Sequence, residues 1–475
     1  MKEMSNLLKL SKMKKTIAIL ALILASLTAA AQTSVWEGER TMWTHGEGTE
    51  SDPYLIESAD NLAFLAYMVN KGFETSGMHF RLTIDIDLNG RADNPWTPIG
   101  LGDRWFNEDG CDRGPASSLG FTPNTLFRGH FDGGAHYISN LYVDEDFVNA
   151  GLFGCVEGVK NDDTIVPALI ENVFVTNGFV KGTHVGGIIG KGNYLTEVAY
   201  CWNGATIEGS NVGGIVGNDV GTVRNCYNLG TLSGIKVGGI VGNKATEIFE
   251  CYNEGNITAE GNNVSVGGII GYSTSSFILD NCYNTGSLSA SSNYGSGPFV
   301  GGLVGLLSAG DKVIANSYNV GEVASTNYVD GLIGFMSGNA YLDVENCYIL
   351  NTCAYSEFST IVSAEDMRQP FFTDLLNLQN EEPVWGMDED NLNDGFPILV
   401  RDNLSVDETK ESLFAIYPNP NHGQFTVEGT GHIRISNLMG QVVGTHEIDG
   451  RHTLYLPKGM YFITLNGKTA KVVVE

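Results

Sequence analysis

A six-residue apolar segment punctuated by glycine recurs through the middle of the chain. Its copies are Val185-Gly-Gly-Ile-Ile-Gly190, Val212-Gly-Gly-Ile-Val-Gly217, Val237-Gly-Gly-Ile-Val-Gly242, Val266-Gly-Gly-Ile-Ile-Gly271, Val300-Gly-Gly-Leu-Val-Gly305 and Val329-Asp-Gly-Leu-Ile-Gly334, with a worn copy, Ala150-Gly-Leu-Phe-Gly154, ahead of them. The final glycines stand 36, 27, 25, 29, 34 and 29 residues apart. Self-similarity at this period is the mark of a solenoid, in which each repeat buries its apolar face only against its neighbours.

A second apolar-polar segment keeps step with the first. It is Asn-Cys-Tyr-Asn at 225–228 and 281–284, with Glu250-Cys-Tyr-Asn253 and Asn316-Ser-Tyr-Asn319 as variants. A third short strand lies between the two, as in Gly230-Thr-Leu-Ser-Gly234. Three short strands joined by Gly and Asn turns predict one coil of a parallel β-helix, right-handed by the usual chirality of crossovers. Stacked coils then line up like residues in ladders. One ladder, Leu141, Val173, Cys201, Cys226, Cys251, Cys282, Ser317 and Cys347, is small or apolar and is expected inside. The next position, Tyr142, Phe174, Trp202, Tyr227, Tyr252, Tyr283, Tyr318 and Tyr348, is then expected outside, because strand neighbours face opposite ways. Which of the adjacent apolar residues in the glycine segment faces the core stays open at this point.

The flanks are patterned differently. Gly48–Ile56 is a turn running into a strand, and Ser58 caps a helix carrying Leu62, Leu65, Ala66 and Val69 that ends at Gly72. A lone helix before the repeats is expected to cover an open solenoid end. Phe80–Leu88 alternates as a strand, 101–126 is an insertion, and Phe127–His136 is a strand and tight turn. Ser363-Ala-Glu-Asp366 has a capping-box shape opening a helix to about Leu378, and with Trp385 and Phe396–Leu399 predicts a second cap. The expected organisation is 32–137 for the N-terminal cap and first strands, 138–350 for the repeats, 351–400 for the second cap, 401–412 for a polar linker and 413–475 for a small domain. Seven short alternating strands in the last segment predict a small Ig-like β-sandwich, so the chain as a whole is expected to be mainly all-β.

Composition changes this picture at two points. Lys9, Lys12, Lys14 and Lys15, the apolar run Thr16–Ala30 and the small residues Ala29–Ala31 form a secretory signal peptide with cleavage expected between Ala31 and Gln32. The apolar run is too short to span a membrane, and no later stretch is long enough. Residues 1–31 carry five Lys and one Glu, so their removal takes the formal charge from −28 to −32. Such a surface repels nucleic acid. The 8 cysteines of an exported chain suggest disulfides. Their spacing at the coil period favours stacked buried thiols instead, and no Cys-x-x-Cys is present.

Two resemblances follow from these residues. The repeats resemble the GLUG motif through Gly151-Leu-Phe-Gly154, Gly302-Leu-Val-Gly305 and Gly331-Leu-Ile-Gly334, most other copies carrying Ile for Leu. That resemblance covers 46–400 and implies a surface adhesin or a secreted peptidase. The end of the chain resembles the type A C-terminal sorting domain of type IX secretion. The motifs are Tyr417-Pro418-Asn419-Pro420 with Gly423, Asn437-Leu-Met-Gly440-Gln441-Val442, and Gly459-Met-Tyr461 before a terminal Lys-Val-Val-Val strand. This implies the type IX machinery as partner, export across the outer membrane, and release or attachment to surface lipopolysaccharide.

Candidate chemistry is sparse. No His-Glu-x-x-His or Gly-x-Ser-x-Gly motif occurs, so the peptidase association does not carry over. Asp85 and Asp87 share a strand face that could take calcium, and His130, Asp132 and His136 could ligate a metal if their turn folds back. Their plainer readings are a solvated strand face and a turn held by Gly133 and Gly134, so no cofactor is expected. The aromatic ladder, Trp202, Tyr227, Tyr252, Tyr283, Tyr318 and Tyr348, is either cross-strand packing or a strip facing a glycan or protein ligand. The expectation is a secreted or cell-surface β-solenoid binding protein, adhesin-like and not an enzyme. The alternative is a β-helix polysaccharide lyase or hydrolase, but residues 201–350 contain few of the basic groups such an enzyme would need.

Overall fold

The computed structural model describes residues 33–474 except 103, 107–111, 116–124, 145–146, 162–163, 293–296, 339, 390, 401–414, 418–422, 438–441 and 466–467. These fall into two compact units divided between Leu399 and Val400. The expected linker, 401–412, lies outside the described residues.

The first unit is a parallel β-helix. Three long sheets, of 11, 11 and 15 strands, run along it, and the repeat coils add strands to all three. The first sheet holds the Tyr-Asn pairs, in register Trp202↔Tyr227↔Tyr252↔Tyr283↔Tyr318↔Tyr348. The glycine segment turns the corner between the other two: Thr206–Gly213 ends on Gly213 and Val216–Arg224 begins three residues later. Val212, Ile215 and Val216 are all fully buried, so the corner sends both of its adjacent apolar residues into the core.

The Asn-Cys-Tyr-Asn segment resolves into four roles. Its first residue turns a corner in the left-handed region, at φ 53° in Asn225, 52° in Asn281 and 46° in Asn316. Asparagine tolerates that region best among non-glycine residues. The cysteine points in, the tyrosine out, and the last asparagine in. Asn203, Asn228, Asn253, Asn284 and Asn319 are wholly buried, and the Nδ2 of each of the first four donates to the next Oδ1 at 2.8 Å. The other amide proton goes to the carbonyl two residues on, as in Asn228 to Gly230 at 2.9 Å. Apolar residues close the ladder at both ends, Val175 beside Asn203 and Ile349 beside Asn319. The second glycine of each hexad faces this ladder. A Cβ on Gly239 would stand 2.5 Å from Asn253 Cβ and 2.0 Å from Gly268 O.

Cys201, Cys226, Cys251, Cys282 and Cys347 are buried, and each Sγ donates to the carbonyl two residues back at 3.1–3.3 Å. Ser317 makes the same bond to Ala315, so a small donor suffices there. Burial pushes the Cys201 and Cys251 thiols well above their usual pKa, Cys347 up to about 12 and Cys353 up to about 11. Since the thiolate is the nucleophile, iodoacetamide should leave all five ladder cysteines unmodified in the native protein. Guanidinium without reductant should expose them, as read by mass spectrometry. Disulfide-linked peptide pairs from adjacent coils would contradict this.

The ends depart from the expectations in physical detail. Phe80–Leu88 is two strands, His79–Leu82 and Ile86–Asp87, in different sheets. Tyr137, not Tyr142, begins the aromatic column, because Phe174 pairs with Tyr137. Leu141 and Tyr142 belong to the second sheet, where Tyr142 meets Phe179 with ring centroids 5.9 Å apart. Helix α1, Ala59–Asn70, has Ser58 as N-cap and buries Leu62, Leu65, Ala66 and Val69 in the solenoid core. The expected second helix is two short ones, α2 (Ala364–Met367) and α3 (Pro370–Leu376), because Pro370 cannot continue a helix. They do not close the solenoid end. Ala354, Phe358, Leu342 and Val344 pack there against the core, and Asp330 accepts from Leu332 N, Ile333 N, Ser356 Oγ and Glu357 N. Helices α2 and α3 instead lie along the flank, over the aromatic column.

Among the described residues, the second unit is one antiparallel sheet of five strands, where seven short ones were expected. Gln424–Asn437 and Val442–Tyr455 form a hairpin paired from Gln424↔Tyr455 to Ser436↔Val442, with one register shift between Ile435 and Ser436. The strand Gln424–Asn437 carries Ala415–Tyr417 on its first half and Gly459–Leu465 on its second half, and Gly459–Leu465 pairs in turn with Lys468–Val474. Phe425 and Val427 share one core cluster with Ile433, Ile435, Ile463 and Val472. Gly429 and Gly431 lie where the two halves meet.

Candidate functional site

The outward aromatic column is the most regular surface feature of the solenoid. Ring centroids are 5.8 Å apart from Trp202 to Tyr227, 4.8 Å to Tyr252, 4.6 Å to Tyr283 and 5.2 Å to Tyr318, with interplanar angles of 2–11°. The strand spacing imposes this, because identical neighbours on a parallel ladder must stack.

The flanking segment divides the column. Met367, Phe372, Leu376, Trp385, Phe396 and Leu399 form a cluster with Tyr283, Tyr318 and Tyr348, which are 3 %, 0 % and 8 % exposed. Trp385 Nε1 donates to Asn281 Oδ1 at 2.7 Å, and Asn281 and Asn380 exchange amide bonds at 3.0 Å. Tyr318 donates its hydroxyl to Pro397 O and accepts from Asn393 Nδ2 at 2.8 Å. The expectation of a continuous six-residue ligand-facing ladder is therefore corrected. Tyr283, Tyr318 and Tyr348 are covered by the chain itself, because apolar helices α2 and α3 need an apolar surface and the rings supply one. Trp202, Tyr227 and Tyr252 remain partly exposed, and Tyr137 is 50 % exposed beyond them.

The candidate metal residues are drawn into coil-to-coil bonds. Asp85 Oδ1 accepts from Tyr137 N and faces His136 Nδ1, both at 3.0 Å. Asp87 Oδ1 accepts from Asn89 N and Asn140 Nδ2. Asp132 Oδ1 accepts from Gly134 N and Asn172 Nδ2. His130 bridges His79 at 3.0 Å and Glu171 at 2.7 Å across three consecutive coils. Burial, with His130 beside it, holds His79 below its ordinary pKa. No group of three or more His, Cys, Asp or Glu arranged to hold a metal occurs among the described residues.

Of the sorting-motif residues, Tyr417 ends the strand Ala415–Tyr417, and Gly423 has φ 100° and accepts from Leu456 N at 3.1 Å. Gly459 opens the strand Gly459–Leu465, and Tyr461 is buried with its hydroxyl donating to Pro457 O at 3.1 Å. Pro418, Asn419, Pro420, Gly440 and the cleavage pair Ala31 and Gln32 lie outside the described residues.

Residues 415–475 match the family described as "Secretion system C-terminal sorting domain". The chain ends in a sorting domain of type IX secretion. Such a tail supports secretion to the cell surface by the type IX machinery. Elsewhere the chain is 29% identical over 198 residues to a Gly-rich membrane protein of Evansella cellulosilytica, covering 40% of this chain and 16% of that one. It is 28% identical over 185 residues to halomucin of Haloquadratum walsbyi, covering 38% of this chain and 2% of that one. The chain thus spans a small part of the curated relatives it matches. No solved structure matches. Among the described residues, no helix is long and apolar enough to cross a membrane.

Sequence reasoning missed the buried asparagine ladder. Its signal was present in the last residue of each Asn-Cys-Tyr-Asn copy, two positions after an inward cysteine and so on the same face.

Proposed function

We propose that the protein is an adhesin-like binding protein of the cell surface, its solenoid presenting an aromatic strip to a glycan or a host or matrix protein. The observation that carries this reading is the partly exposed run Trp202, Tyr227 and Tyr252, extended by Tyr137, on a solenoid that ends in a surface-sorting tail. Exposed aromatic rows are uncommon on soluble proteins unless they bind something. A stacked row is rigid, so little conformational entropy is lost when a ligand lies along it. The GLUG-type resemblance of the repeats agrees with an adhesin. Export then begins with cleavage after Ala31 and ends in release or attachment to lipopolysaccharide through the sorting tail. No cofactor is required.

Binding of the full chain to a glycan array and to whole cells tests the strip. The double variant Trp202→Ala, Tyr227→Ala should weaken whatever binds by about 10- to 100-fold, since an aromatic anchor is worth roughly 1–2 kcal/mol or more. Unchanged binding in that variant, with an unchanged melting temperature, would return the column to a packing role.

A further inference from the structure

A second pair of ladders flanks the glycine hexads. The residue before each hexad is Asn149, His184, Asn211, Lys236, Ser265, Phe299 or Tyr328, aligned in the second sheet. The residue after it runs Lys191, Asn218, Asn243, Tyr272, Leu306, Phe335, aligned in the third. Side chains of the two ladders meet. Lys236 Nζ lies 4.4 Å from the centre of the Tyr272 ring, and the Phe299 and Phe335 rings stack at 4.9 Å. Burial, with Lys191 and Lys236 beside it, lowers the His184 pKa, and His184 Nδ1 accepts from Asn211 Nδ2 at 2.8 Å. The double ladder is polar in its earlier coils and aromatic in its later ones.

Its polar half is incompletely satisfied. Among the described residues, Asn149 Oδ1, Asn243 Oδ1 and Ser265 Oγ are buried without a hydrogen-bond partner. The three residues are 7 %, 9 % and 1 % exposed. Asn243 Nδ2 is committed to Asn218 Oδ1 at 2.7 Å, while the hydroxyl of Tyr272, its register partner on the other side, faces Ser308 Oγ. Such orphans are rare in folded proteins and call for an explanation. Lys236 makes no ion pair among the described residues, in a chain of net charge −28. Among the described residues, Lys191 pairs only with Glu157, at 3.8 Å. Among the described residues, Lys236 thus lies over a ring, near unpaired polar atoms, with no carboxylate in ion-pair contact.

We propose that this polar double ladder, centred on Lys236, Asn243, Ser265 and Tyr272, binds a linear carboxylated polysaccharide. The lysines meet its carboxylates, Tyr272 offers an apolar face to a ring, and the buried amide and hydroxyl reach its sugar hydroxyls once Lys236 and Tyr272 turn outward onto it. The repeat along the coil axis, at about 4.8 Å per coil, suits a polymer rather than a small anion. The inference rests on the surface-binding reading for its ligand class, but not on the aromatic strip.

Affinity of the full chain for an oligogalacturonate, for the same oligomer reduced to its neutral form, and for inorganic phosphate tests it. The carboxylated oligomer should bind, more weakly as salt rises, and the neutral one at least about 10-fold more weakly. Lys191→Ala with Lys236→Ala should cost the carboxylated oligomer at least about 10-fold. Asn243→Leu should weaken binding with little change in melting temperature, because the bond it removes leaves only the partly exposed Asn218 carbonyl unpaired. If Lys236→Ala does not fold, Lys236→Gln keeps the stem over Tyr272 and removes the charge. Trp202→Ala with Tyr227→Ala should leave this binding intact. Equal binding of charged and neutral oligomers, parental affinity in the lysine variants, or phosphate binding as tightly as the oligomer would each overturn the proposal. Loss confined to the Trp202 and Tyr227 variant would overturn it while leaving the aromatic strip standing.

Discussion

Asn253→Leu should destabilise the solenoid by roughly 3–6 kcal/mol and lower its melting temperature by roughly 5–15 °C. Leucine has the same number and branching of side-chain heavy atoms as asparagine, so the loss is chiefly one of hydrogen bonding. Asn253 donates to Asn284 Oδ1 and to Gly255 O and accepts from Asn228 Nδ2. Its removal leaves one donor and two acceptors without these partners in a fully buried environment, each costing about 1–3 kcal/mol. Gly239→Ala should be at least as severe, because its Cβ would collide with backbone that cannot move aside. Tyr252→Leu, one residue away but on the outer face, should cost far less than Asn253→Leu. Thermal melting followed by circular dichroism checks all three. An Asn253→Leu melting temperature equal to that of the parent would mean that the amide ladder is dispensable.

Deleting Lys471–Glu475 should abolish surface delivery, with at least a 10-fold fall in the surface and medium fraction and accumulation in the periplasm. The physical reason is the size of the tail. A domain of about 60 residues has little core to spare. Lys468–Val474 pairs with Gly459–Leu465 over seven residue pairs, and Val472 and Val474 belong to the tail's only core cluster among the described residues. Without that strand the sheet loses its outer edge and two of its buried side chains. The complementary gain is delivery of an inert exported reporter fused to residues 401–475, in a cell with type IX secretion. Fractionation and surface proteolysis distinguish the outcomes. A truncated cargo that still reaches the surface would mean that delivery does not depend on the folded tail.

Much of this was legible in the chain because it is periodic. The hexad spacing specified a solenoid, the alternation in Asn-Cys-Tyr-Asn placed cysteine inside and tyrosine outside, and three ordered motifs marked the tail. Each signal is local, repeated, and tied to the two-residue period of a strand. The same logic, carried one residue further, would have found Asn228 and Asn253 inside.

What the sequence by itself determined, then, is the coil: which residues turn, which point inward, and which stack on their own kind. What only the tertiary structure decided is what lies against the coil. Residues 364–399 could have closed the open end or covered a side, and no pattern within them distinguishes the two. The choice rests on complementarity between surfaces far apart in the chain, such as Trp385 against Asn281 and Phe372 against Tyr348. That packing buried three of the six rings expected to face a ligand. Likewise, Lys236 and Tyr272 carry no sequence signal of their proximity, because they belong to different sheets and different coils. The hexad's sharp corner brings them together, and a corner acts at a distance that residue alternation does not encode.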